Sequence, residues 1–155
     1  MSGSELVVRE PLPEELPLLA ALAARLWPDH DPADLAAEFA ALREDPEAAL
    51  FLALAEGAPA GFAQCSLRHD YVEGTESSPV GYLEGIYTEA ACRRRGIARA
   101  LLERCEAWAR DRGCREFASD CELTNPNSIG FHRASGFREA NRIVCFVKPL
   151  KGSET

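Results

Sequence analysis

The chain's 155 residues fit one domain, 1–155, and carry a formal net charge of −8 with 46% hydrophobic and 27% charged side chains. These proportions suit a globular chain with one core, and so acidic a surface argues against a nucleic-acid partner, because phosphates need basic groups to neutralise them. No apolar run is long enough to span a membrane, the start Met1-Ser-Gly-Ser-Glu5 lacks a basic-then-apolar secretory pattern, and His30, His69 and His132 show no metal-ligand spacing.

Leu6 to Arg9 is a short apolar stretch that predicts a first strand. From Glu14, apolar residues recur at Leu16, Leu19, Ala20, Ala23, Leu26 and Trp27, the spacing of a helix. Pro17 falls near its first turn, where a missing N–H costs least, and Pro28 pushes Trp27 out of helical geometry. Asp31-Pro32 reads as an N-cap followed by Pro at the first helical position, so a second helix is predicted to about Arg43. Trp27-Pro-Asp-His30 then becomes an inter-helix loop carrying an aromatic and a histidine.

Ala49 to Ala55 and Gly61 to Leu67 predict two strands of a hairpin joined by Glu56-Gly-Ala-Pro-Ala60. The polar loop from Arg68 to Pro79 is of a length that compact domains often reserve for function. Gly81 to Tyr87 predicts the next strand, in which alternation puts Glu84 on the face of Tyr82 and Ile86, opposite Leu83 and Tyr87. Ala98, Leu101, Leu102, Cys105, Trp108 and Ala109 hold one face of a long helix that Gly113 terminates. Glu116 to Asp120 predicts a short strand, and Asn125-Pro126 opens a short helix ended by Gly136. After a hairpin around Asn141, Ile143 to Lys148 is expected to close the sheet.

None of the six cysteines forms a CxxC pair, and several fall on apolar faces, so reduced thiols packed in a cytoplasmic protein are expected. The acidic balance serves solubility, or it concentrates cations such as polyamines near the surface.

Arg93-Arg-Arg-Gly-Ile-Ala98 lies between a strand and a strongly amphipathic helix. A helix N-terminus presents unpaired N–H groups and the positive end of a dipole, which suits an anion. Gly96 admits close backbone approach, and small Ala98 leaves the first turn open. Three arginines alone would read as a solvated basic loop; R-x-x-G-x-A opening a helix is more specific.

The strand, this loop, the helix and the Asn125…His132-x-x-x-Gly-Phe137 segment together resemble the GNAT acyltransferase superfamily. The resemblance implies an α/β (α+β) fold, with a mixed, mostly antiparallel sheet of about six or seven strands flanked by about four helices. It implies that the amides of Arg95, Gly96, Ile97 and Ala98 take the pyrophosphate of acetyl-CoA, with Arg94 and Arg99 at the edges. It also implies that the backbone of Ile86, Tyr87 and Thr88 pairs with the pantetheine arm and that Asn125, which also has an N-cap duty, contacts the coenzyme. No metal is implied.

Four further motifs, Leu-Trp-Pro-Asp-His30, Asp-Tyr-Val…Gly-Thr-Glu-Ser-Ser-Pro79, Leu-Glu-Gly-Ile86 and Glu-Phe-Ala-Ser-Asp120, resemble the aminoglycoside 6'-N-acetyltransferases in the same order along the chain. An aliphatic amine has a pKa of roughly 10, so its attack on a thioester needs a proton acceptor and a site that tolerates a cation. Glu84 otherwise reads as a solvent-facing glutamate and Asp120 as a turn residue; the resemblance makes Glu84 the candidate general base, through a water, and Asp120 a second amine-binding carboxylate. It places Trp27, His30 and Tyr71 against the aminoglycoside, although Trp27 reads equally as a core anchor. Relatives carry an acidic residue where this chain has Asn141, and Glu139 is expected to share that strand face. Where many superfamily members place a tyrosine to protonate the departing thiolate, His132 stands; it does that job or no side chain does.

These readings imply a homodimeric acetyl-CoA-dependent enzyme that acetylates the 6'-amine of aminoglycosides. The alternatives are acetylation of another polyamine or a peptide amine, and a non-catalytic module that binds acetyl-CoA or aminoglycoside. A cysteine-nucleophile route is discounted, because no Cys–His pair is apparent and direct transfer needs none.

Overall fold

Apolar stretches of alternating polarity and of helical period follow one another along the chain, and they fold as a sheet with helices on both faces. The computed structural model describes residues 5–93 and 95–152. Two compact units are present, residues 1–120 and 121–155. The first holds one five-stranded sheet in the order β1 (Leu6–Arg9), β2 (Ala48–Ala55), β3 (Ala58–Arg68), β4 (Val80–Thr88), β5 (Phe117–Ala118). Strands β1 to β4 are antiparallel neighbours, whereas β5 lies parallel to β4.

Helices α1 (Leu16–Leu26) and α2 (Pro32–Arg43) separate β1 from β2. Asp31 caps α2 by accepting from the Ala33 amide at 2.8 Å, as the Asp-Pro signal predicts. Leu19, Ala20, Ala23, Leu35 and Phe39 bury against Leu50, Leu52 and Phe62 to form the core on one face of the sheet. A bidentate pair between Arg9 and Glu15, at 2.8 Å for each bond, ties the end of β1 to the 3-10 turn that precedes α1.

Helix α3 (Ile97–Asp111) covers the opposite face. Its buried side, Ile97, Leu101, Leu102, Cys105, Trp108 and Ala109, is the predicted stripe with Ile97 in place of Ala98. Cys105 sits beside Cys65 of β3; the hydrogen bond between them and then burial push the Cys105 thiol up. Gly113, at φ +85°, ends the helix, and the Cys114 amide returns to the Ala109 carbonyl at 3.0 Å.

The β2–β3 connection is shorter than predicted. Glu56 and Gly57, at φ 54° and 83°, make a two-residue turn whose left-handed centre matches the twist of a hairpin, so β3 starts at Ala58. β5 is also shorter than predicted and leaves Asp120 two residues beyond it.

In the second unit, Pro126–Ala134 forms α4, capped by Asn125, whose side chain accepts from the Ser128 amide at 3.1 Å. The expected hairpin around Asn141 and the closing strand at 143–148 do not form, so the sheet has five strands rather than six or seven. Ile143, Val144, Phe146 and Val147 remain 70%, 76%, 91% and 94% exposed. β-branched and aromatic composition makes a segment fit for a ladder but does not provide the neighbouring strand a ladder requires. Among the described residues, no helix is long and apolar enough to cross a membrane and no cluster of side chains could hold a metal ion.

Candidate active site

Strands β3 and β4 pair Gln64 with Gly85 and Cys65 with Leu83, so Glu84 is the extra residue of a β-bulge. The bulge corrects the face assignment that uniform alternation predicts. Ser66, the partner of Tyr82, donates its hydroxyl to Glu84 Oε2 at 2.5 Å, so Glu84 does share the face of Tyr82. Tyr87, not Ile86, lies on that face as well, packed against the α1–α2 cluster and paired with Phe62. Two successive residues, Glu84 and Gly85, therefore face the same side, which a regular strand forbids.

Around Glu84 the sheet builds a charged network. Arg68 donates from Nη2 to both carboxylate oxygens, at 2.9 and 3.0 Å, and from Nε to Oε2 at 3.2 Å. Its guanidinium also lies 3.6 Å from the centroid of the Tyr82 ring. The Tyr82 hydroxyl in turn donates to Asp120 Oδ2. Burial, and then the bond to Asp120, push the Tyr82 phenol well above its usual range, which keeps it a donor. Glu84 and Asp120, the two predicted carboxylates, are thus joined through Arg68 and Tyr82, with Ser66 bonded to Glu84 alone, and sequence reasoning selected none of these three. Only the placement of Tyr82 on Glu84's face hinted at this.

Trp27 closes one side. A Cβ on Gly85 would lie 2.6 and 2.7 Å from the Trp27 ring, so the indole rests directly on the backbone beside Glu84. Its ring also meets Phe62 edge-on, with centroids 5.9 Å apart. The core-anchor reading of Trp27 holds in this packing, on the same side of the sheet as Glu84. His30 follows in the exposed turn, its ring 6.2 Å from that of Trp27 and its amide bonded to the Trp27 carbonyl at 3.0 Å.

Tyr71 stands 76% exposed in the 69–79 loop. That loop is fixed from outside itself: Glu116 Oε1 accepts from the Glu76 amide at 2.9 Å and from the Ser77 hydroxyl. Glu116 opens the Glu-Phe-Ala-Ser-Asp120 motif, but sequence reasoning assigned it no role of its own and did not point to this loop contact.

Gly96 caps α3 from the left-handed region, at φ +76°, with no atom of the described residues within 4 Å of where a Cβ would stand. The amides of Ile97, Ala98 and Arg99 occupy the first turn, where no intrahelical carbonyl is available to them. Open space at the glycine among the described residues and unpaired donors at a helix start fit a coenzyme's phosphates. Arg95 reaches Glu56 at 3.5 Å, and Arg94 lies outside the described residues. On β4, Ile86, Tyr87 and Thr88 pair with β3 along one edge, while β5 meets β4 only at Gly81 and Tyr82. The other edge of β4 past Tyr82 thus carries no β5 ladder. The buried Thr88 hydroxyl oxygen has no hydrogen-bond partner among the described residues.

The second unit holds the remaining predicted residues. Asn125 performs its capping role. His132 bonds through Nδ1 to the Ser128 carbonyl at 2.7 Å and packs against the rings of Phe131 and Phe137. Asn141 accepts from the Arg142 amide at 2.8 Å. Glu139 pairs with Arg142 and Arg133 at 2.7 and 3.0 Å, and the Arg142 bond in particular holds its carboxyl below the usual range.

Comparison with known proteins bears directly on this geometry. The profile of the acetyltransferase (GNAT) family matches residues 16–137. An aminoglycoside N(6')-acetyltransferase type 1 of Stenotrophomonas maltophilia is 46% identical over 154 residues, covering 99% of each chain. Two solved structures of the enzyme AAC(6')-Iy superpose closely, each at 37% identity. One, in complex with the bisubstrate analog CoA-S-monomethyl-acetylneamine, gives a TM-score of 0.90 over 95% of this chain and 100% of that one. The other, in complex with CoA, gives 0.92 over 96% and 98%.

Proposed function

The chain belongs to the acetyltransferase (GNAT) family, and from that premise we propose that it is an acetyl-CoA-dependent enzyme acetylating the 6'-amine of aminoglycosides by direct transfer in a ternary complex. The observation that carries this reading is the joining of Glu84 and Asp120 across Tyr82, with Trp27 seated on Gly85 beside them. Two carboxylates within one polar network suit an acceptor with several ammonium groups, and the indole offers a flat wall for a sugar ring.

Acetyl-CoA, when bound, supplies an acetyl group activated as a thioester. The first-turn amides of α3 from Ile97 to Arg99, with Gly96 before them, would hold its phosphates, and the free edge of β4 at Ile86, Tyr87 and Thr88 would hold its arm. Arg94 and Arg95 are proposed contacts by family likeness. Glu84 draws the reacting ammonium to the sheet surface and takes its proton at a carboxylate oxygen, through a water. Asp120 anchors a second ammonium, held in orientation by the Tyr82 hydroxyl. His30 and Tyr71 complete the acceptor contacts of the first unit. Much of the acceleration then comes from positioning the amine.

Release of free thiol from acetyl-CoA, measured over acceptors with and without a 6'-amine, tests the reading. Turnover confined to 6'-amino acceptors supports it. Faster turnover of a simple polyamine or a peptide amine overturns the aminoglycoside assignment, and binding without thiol release overturns catalysis.

A homodimer is part of the same proposal. Four large apolar residues between Ile143 and Val147 stand mostly exposed, a patch that water disfavours and that a second copy of the chain would cover. Sedimentation showing a monomer at every concentration overturns it. The cytoplasm is the proposed location, supported by unpaired thiols at Cys65, Cys105 and Cys114 inside the core.

A further inference from the structure

Glu84 has two duties in the proposed reaction, attracting an ammonium and accepting its proton, yet its carboxylate is already engaged. Arg68 donates three hydrogen bonds to it and Ser66 a fourth, leaving no oxygen of the carboxylate without a donor. A positive charge fixed at this distance repels a second cation approaching the same oxygens. Arg68 is also the more exposed partner, at 44% against 24% for Glu84, so the pair can open toward solvent without uncovering the core. The Tyr82 ring, 3.6 Å beneath the guanidinium, is a contact Arg68 makes at the same time as its bonds to Glu84 and one that does not depend on the carboxylate.

We propose that Arg68 is a cation placeholder: in the unliganded protein its guanidinium occupies the position at Glu84 that the acceptor's ammonium takes, and the acceptor must displace it. This inference rests on the reading of Glu84 as the acceptor's carboxylate. Arg68 acts through Glu84 and is a positioning residue, not a catalytic one. Through its three hydrogen bonds it keeps the carboxylate aimed while the cleft is empty. It also makes the site selective, since one weakly held ammonium competes poorly with a bidentate guanidinium. A polycation that anchors a second ammonium at Asp120 gains local concentration for the exchange at Glu84.

The test is calorimetric binding of kanamycin together with steady-state kinetics for kanamycin and acetyl-CoA, on Arg68→Met and Arg68→Lys. Arg68→Met keeps an apolar stem over the Tyr82 ring and removes the competing charge. It is expected to tighten kanamycin Kd and lower its KM by roughly 1.5- to 5-fold, the scale of one exposed ion pair, with KM for acetyl-CoA unchanged. Arg68→Lys keeps a competing cation and is expected to stay near wild type. Arg110→Gln, on the exposed end of α3, removes the same charge from the net total and is expected to leave kanamycin KM unchanged. In a Glu84→Gln background the gain from Arg68→Met disappears. Weaker or unchanged kanamycin binding in Arg68→Met, with the wild type active, overturns the placeholder while leaving the acetyltransferase reading intact. A wild type that neither binds nor acetylates kanamycin overturns both.

Discussion

The Tyr82 hydroxyl donates to the Asp120 carboxylate from the face of β4 that also carries Glu84. Asp120 lies beyond the end of β5, where no ladder orients it, so this bond is what aims the second carboxylate. Tyr82→Phe removes the donor and keeps the ring under Arg68. KM for a polycationic acceptor is expected to rise roughly 3- to 10-fold, the scale of one hydrogen bond, while KM for acetyl-CoA stays constant. An unchanged acceptor KM would mean Asp120 needs no such support.

Glu84→Gln preserves the size of the side chain and can still accept from Ser66, but it neither attracts an ammonium nor takes a proton. A drop in kcat of about 10²- to 10⁴-fold is expected, the range ordinarily lost with a general base. Single-turnover thiol release separates this from slow product release. Retention of most of kcat would assign proton removal to another group.

Much of this arrangement was legible in the chain, and the exceptions have physical causes. Helical periodicity placed the buried stripes of α1 and α3 because one face of each meets the sheet, and the Asp31-Pro32 and Gly113 signals act through local backbone chemistry. Glu84 stood out as a charge inside an apolar strand. The bulge that turns Glu84 and Gly85 to one side leaves no such trace, since it is a property of the pairing between β3 and β4 rather than of either strand alone. Arg68 and Ser66 likewise become site residues only through pairing with a strand more than ten positions away. The segment at 143–148 misled for the same reason: strand composition states a preference, and a strand forms only against an available edge.

Gly85 lacks a side chain because Trp27 occupies its space. Gly85→Ala puts a methyl 2.6 Å from the indole, so the ring must tilt away from the sheet. The expected cost is about 1–3 kcal/mol of stability in urea unfolding, typical of an overpacked contact. A raised acceptor KM and altered Trp27 fluorescence should accompany it. Normal kinetics with lost stability would confine Trp27 to a packing role.

Gly96 poses the opposite case, with empty space but a forbidden backbone. Alanine meets no atom of the described residues there, so Gly96→Ala costs chiefly the left-handed conformation at φ +76°, about 1–2 kcal/mol. Relaxing that strain rotates the first amides of α3, and KM for acetyl-CoA is expected to rise while kanamycin affinity holds. Gly96→Asn, whose side chain tolerates this region better, should fall between the two.

The Arg9–Glu15 pair sets a pH dependence of stability apart from the site. Bonds from Arg9, and then from the Leu12 amide, lower the Glu15 carboxyl from 4.5 to about 2. Because the folded value lies below the unfolded one, the unfolded chain takes up the proton first as pH falls. The pair therefore contributes fully above pH 4.5, and its contribution fades as pH drops toward 2. Glu15→Gln is expected to lower Tm at neutral pH, by an amount worth no more than about 1 kcal/mol for a pair this close to solvent. The difference from wild type should shrink through that acid window. A constant difference across it would show that Glu15 stabilises the start of α1 by packing rather than by its charge.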